Sequence, residues 1–97
     1  MIDKVGIIYS PGYGAGWSTW GCEEMATDQE LARAIDADEP YEKILEIAKR
    51  NWPEQYMGGL EDCIVEWVDP GTQFIISEYD GSESLAINHS NYWSIAK

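Results

Sequence analysis

Residues 10–22, SPGYGAGWSTWGC, constrain this chain more than any other stretch, because four glycines and three large aromatics share thirteen positions. Glycine frees the backbone to turn tightly or to approach a neighbour closely, at an entropic cost in any regular element. Tryptophan brings a large contact area with an N–H that seeks a partner. The stretch is therefore a loop, and it separates a short N-terminal segment from the bulk of the chain. Two roles are open to it. It is a brace whose aromatics fold against a sheet, or a contact surface in which Tyr13, Trp17 or Trp20 stands out as an anchor.

Ahead of the loop, residues 4–10 read as a strand, with Val5, Ile7 and Tyr9 on one face and Ile8 on the other. Apolar residues on both faces predict a covered strand. Pro11 has no N–H for a ladder and ends it. Behind the loop, Thr27-Asp28-Gln29-Glu30 has the form of a capping box with Thr27 as N-cap, leading a short helix on Leu31, Ala34 and Ile35 that stops near residues 36–38. A second helix starts at Asp38-Glu39-Pro40. Its face is Tyr41, Ile44, Leu45, Ala48 and Trp52, with Glu39 to Lys43 and Glu46 to Arg50 as favourable pairs one turn apart.

Residues 55–59 form a connector, and residues 62–68 alternate as a strand. Asp69-Pro70-Gly71-Thr72 suits a type II turn, residues 73–79 form the next strand, and Asp80-Gly81 is a strong hairpin signal before a strand over residues 83–88. Residues 91–97 read as a loosely ordered tail. Ninety-seven residues hold one modest core. The expectation is an α+β single small domain over residues 1–97, in the order β-α-α-β-β-β. It has an antiparallel sheet, a meander plus the first strand, with helices packed on one face.

Charge narrows the function classes. The formal net charge is −12, and between Arg50 and Lys97 there is no lysine or arginine. Nucleic-acid affinity is dominated by phosphate neutralisation, so direct binding to DNA or RNA is not expected. A basic protein surface is the natural partner. The candidate partner-binding residues are Glu61, Asp62, Glu66, Asp69, Glu78, Asp80 and Glu83. Glu66 and Glu78 fall on strands joined by a short turn. Depending on register they share a face with Glu83 or Asp62, and the resulting row of carboxylates imitates nucleic-acid phosphates. An ordinary solvated face in an acid-rich composition is the alternative account.

Chemical motifs are weak. Gly12-x-Gly14 follows a strand, but Glu23 and Glu24 come next where a phosphate site wants a helix N-terminus and a lysine. His89 is the sole histidine, and Cys22, Cys63 and His89 have no zinc spacing. A thiol at Cys22 would be blunted by the adjacent acids. Asp80-Gly81-Ser82-Glu83-Ser84 lacks the frame of a calcium loop. No catalytic residue, metal or cofactor is expected, and the chain is not expected to be an enzyme. The cysteines are expected as free thiols. No stretch reaches a membrane span, and residues 1–10 lack a signal-peptide pattern, so a cytoplasmic location is expected.

The segments GYGAGWSTW at residues 12–20, VEWV at 65–68 and YDGSESL at 79–85 resemble a family of small acidic proteins encoded by bacteriophages and prophages. The resemblance covers roughly residues 5–87 and transfers no catalytic residues. It implies a setting in the host-cell cytoplasm and, by analogy, an inhibitor of host defence such as an anti-CRISPR or anti-restriction protein. On that reading the partner is a host protein with a basic, nucleic-acid-binding surface. Two alternatives stand beside it: a small-ligand or nucleotide-binding module using loop 10–22, and an accessory virion protein. A homodimer is left open.

Overall fold

A computed structural model describes residues 4–12 and 16–87. Tyr13, His89 and the expected tail over residues 91–97 lie outside the described residues. The strands are β1 (Val5–Tyr9), β2 (Ile64–Val68), β3 (Phe74–Tyr79) and β4 (Ser82–Ile87), and the helices are α1 (Gln29–Asp36) and α2 (Tyr41–Asn51). Short 3-10 turns at Glu23–Thr27 and Leu60–Asp62 complete the order. The class is α+β, a small single domain in the order β-α-α-β-β-β, with all strand pairs antiparallel.

The strands pair as two ladders, β1 with β2 and β3 with β4, so the expected meander is interrupted between β2 and β3. The β3–β4 ladder instead approaches the outer edge of β1. There Gly6 gives its N–H to Gln29 Oε1 (2.9 Å) and receives Gln29 Nε2 at its carbonyl (3.1 Å), so a side-chain amide stands where a third strand would bond. Further along that edge, Glu83 N–H donates to the Ser10 carbonyl at 2.8 Å. The strand that meets β1 is therefore β4, and β3 lies beyond it. The type II turn still forms: Gly71 has φ +86° and Thr72 N–H donates to the Asp69 carbonyl (3.1 Å).

Helices cover the Gly6, Ile8, Val65 and Trp67 face of the β1–β2 ladder. Ile8, Trp17, Met25, Leu31, Ala32, Ala48, Leu60 and Cys63 form the buried core, and Ile44, Leu45, Ile47, Val65 and Trp67 pack against it. Gly6 is what lets α1 approach. A Cβ there would lie 2.8 Å from the Ala32 Cβ, closer than packed carbons come. Burial of the α2 stripe centres on Ala48, while Tyr41 at its start stays exposed.

The start of α1 differs from the expected capping box. Asp28, in extended geometry, is the N-cap and accepts Leu31 N–H at 3.1 Å. Thr27 instead ends the preceding 3-10 turn, with its hydroxyl directed at the Glu24 carbonyl (3.4 Å). The second Asp28 oxygen accepts Trp52 Nε1 (2.8 Å) and Asn51 Nδ2 (2.9 Å), which ties the start of α1 to the end of α2. Arg50 likewise bonds Glu30 across the helices rather than settling on Glu46, while the expected Lys43–Glu39 pair forms at 3.8 Å.

Candidate functional site

Glu83 sits one residue into β4, after a two-residue hairpin turn in which Asp80 (φ +54°) and Gly81 (φ +87°) are both left-handed. That is the geometry of a type I′ turn, and it pairs Tyr79 with Ser82 and Glu78 with Glu83. Strand alternation places Glu83 on the same face as Leu85 and Ile87, which turns its side chain inward.

Glu83 is 1 % exposed. Oε1 accepts the Ser10 N–H at 2.9 Å. Oε2 accepts the Trp17 N–H at 2.7 Å, the Thr19 N–H at 3.0 Å and the Thr19 hydroxyl at 2.6 Å. Desolvating an ionised carboxylate is costly, and charge-assisted bonds from pre-positioned amides offset it. The glycine-rich loop supplies those amides because its own backbone is not committed to a ladder. Ser10 binds the assembly from the other side, its hydroxyl donating to the Gly59 carbonyl at 2.7 Å, and Ser82 Oγ donates to the Pro11 carbonyl at 2.8 Å.

Trp17 is fully buried, and its Nε1 reaches Met57 Sδ at 3.4 Å. It belongs to the core and is not an exposed anchor. Trp20 is 47 % exposed and stacks at a tilt on Tyr56, with ring centroids 5.5 Å apart. Of the three expected aromatic anchors, Trp20 alone is on the surface among the described residues.

The seven candidate acids do not gather into one row. Glu83 is buried, which corrects its expected place on the surface, and the reason is its inward register. Glu78 lies opposite it with its carboxylate turned to the Gly81 N–H (2.7 Å). Glu66 belongs to the other ladder, opposite Ile7. Asp69 is exposed and bonds Lys4 Nζ at 2.7 Å. Glu61, Asp62, Glu66 and Asp80 are exposed.

Beside the clamped loop lies an open cleft of about 820 Å³. One wall comes from Ser18, Thr19 and Gly21 of the loop and from Glu23, Glu24, Ala26 and Thr27 of the 3-10 turn; the other is Phe74, Ile75 and Ile76 of β3. Thr19 is common to clamp and cleft, so Glu83 sets the position of the loop wall. Cys22 and Cys63 are free thiols. Cys22 Sγ donates to Glu24 Oε1 at 2.6 Å, and that bond holds its pKa above the ordinary thiol value. Burial, followed by the charges of Glu83 and Asp62, pushes the Cys63 thiol up strongly. Both remain protonated near neutrality, a poor state for a nucleophile.

Among the described residues no group of three or more His, Cys, Asp or Glu side chains is placed to hold a metal ion, and no helix is long and apolar enough to cross a membrane. Comparison with known proteins gives no match: no family model, no curated protein and no solved structure aligns significantly with the chain.

Proposed function

We propose that this protein is a non-catalytic acidic binding protein that occupies a basic surface of another protein. One observation carries the reading. The exposed acids Glu61, Asp62, Glu66, Asp69, Glu78 and Asp80 have a single cationic partner among the described residues, Lys4 on Asp69. A field left uncompensated in this way attracts basic partners and repels phosphate. The resemblance to phage and prophage proteins suggests a host nucleic-acid-binding protein as the partner and the host cytoplasm as the location, with inhibition of a defence system such as CRISPR or restriction as the outcome.

Capture from host lysate at low and at high salt tests the proposal, with the E61K/E66K variant beside the native chain. Both substituted positions are exposed and neither carboxylate holds a described hydrogen bond, so the fold should persist. Capture should fall with salt and with charge reversal. Affinity indifferent to both overturns electrostatic mimicry. The cleft favours a second reading, a small-ligand module built on loop 10–22. A change in tryptophan emission from Trp20 with a nucleotide or metabolite panel would support it.

A further inference from the structure

We propose that the open edge of β3 docks an extended, lysine- or arginine-bearing segment of another protein, which adds as a third strand to the β3–β4 ladder and lies in the cleft. This rests on the acidic-binding reading above and names the surface and the form of the partner.

Among the described residues β3 pairs with β4 alone. The two-residue turn makes Tyr79 and Ser82 a hydrogen-bonded pair, and such pairs alternate along an antiparallel ladder. Phe74, Ile76 and Glu78 therefore direct their N–H and C=O groups away from β4. The same parity is visible on β4, where the Glu83 N–H points outward and reaches the Ser10 carbonyl. On β4 that edge is engaged at Glu83, and Phe74, Ile75 and Ile76 of β3 line the cleft.

Natural proteins usually block such an edge with a charged side chain, a proline or a bulge. Phe-Ile-Ile-Ser-Glu-Tyr has no lysine or proline, its register with β4 runs without a bulge, and its one charge, Glu78, is drawn to the Gly81 N–H at the turn end, away from residues 74–76. The edge borders a cleft of about 820 Å³ along Phe74, Ile75 and Ile76. Three extended residues span roughly 10 Å, so the space suits a short strand. Strand addition draws affinity from the main chain and specificity from alternate side chains. Specificity here comes from the facing wall, where Glu23 and Glu24 are exposed and, among the described residues, no basic side chain lines the cleft. Those carboxylates complement a cationic strand. They also oppose edge pairing between two copies of a chain of charge −12.

The test uses the full chain and three end-blocked peptides of about eight residues: alternating lysine and valine, the same sequence with every backbone amide N-methylated, and alternating glutamate and valine. The lysine–valine peptide should bind and slow amide exchange at Phe74, Ile76 and Glu78. N-methylation removes donors without changing charge and should weaken binding about tenfold, the equivalent of one or two net hydrogen bonds. E23K should weaken it further, and the glutamate peptide should not bind. Equal affinity for the N-methylated peptide, protection confined to other residues, or slow exchange at these three amides in the free protein or in a dimer overturns the proposal. The two readings fail separately. Inert peptides with partner capture still sensitive to E61K/E66K remove the docking strand alone. Peptide binding intact with capture insensitive to charge reversal removes the mimicry alone.

Discussion

Glu83 and Thr19 are 64 residues apart in sequence and meet twice at one oxygen, Oε2 accepting both the Thr19 amide and its hydroxyl. The Trp17 amide reaches the same atom and the Ser10 amide its neighbour. One carboxylate thus joins the end of β1, the glycine–aromatic loop and the start of β4. In doing so it positions Thr19 on the wall of the cleft.

Truncation at this carboxylate strands three backbone donors in a buried place. E83A is expected to lose about 3–5 kcal/mol of unfolding free energy, and E83Q, which keeps acceptor capacity, about 1–3. Urea denaturation measures both. The amide resonances of Trp17 and Thr19 should move most, and a loss no larger than that of an exposed Glu61→Ala change would refute the clamp.

The contact between β1 and α1 depends on a missing side chain. G6A places a methyl 2.8 Å from the Ala32 Cβ and should cost about 1–3 kcal/mol through overpacking. A32G alone costs about 1 kcal/mol of helix propensity. The double variant should be less destabilised than the two single losses added together. Strict additivity in a thermal or urea double-mutant cycle would show that the two positions do not touch.

The bridge between the helices gives a pH dependence with a definite sign. Arg50, with Asn51 behind it, holds the Glu30 carboxyl below its ordinary value. A depressed folded value means stability that is present above the unfolded value of about 4.3 and is lost as pH falls through the folded one. Native protein should therefore exceed E30Q in stability at pH 6 to 7, with the gap closing as pH drops below about 4. A gap that is constant across this range would show that the pair adds nothing. Because both side chains are exposed, the gap should also shrink with salt.

Much of the architecture is legible in the sequence because it is local. Short apolar runs bounded by turn residues mark the four strands, the 3.6-residue stripe from Tyr41 to Trp52 marks α2, and Asp80-Gly81 announces its turn. The helix start shifts by one residue because a 3-10 turn over Glu23–Thr27 takes Thr27, and no periodicity signals so short an element. Glu83 leaves one trace in the sequence: a charge on the strand face it shares with Leu85 and Ile87. On that face an acid must find donors, and a glycine-rich loop with uncommitted amides is where they lie.

By itself the sequence determined the elements, the α+β class and the uncompensated charge, since propensity, turn chemistry and composition are properties of neighbouring residues. Only the tertiary structure decided which strands pair and which acids face water. Gln29 closes the β1 edge at Gly6, Glu83 turns inward to the loop, and β3, which among the described residues pairs with β4 alone, lines a cleft with Glu23 and Glu24. Those outcomes depend on donors and acceptors brought together from distant parts of the chain, where the cost of leaving a buried polar group unpaired selects one partner among many.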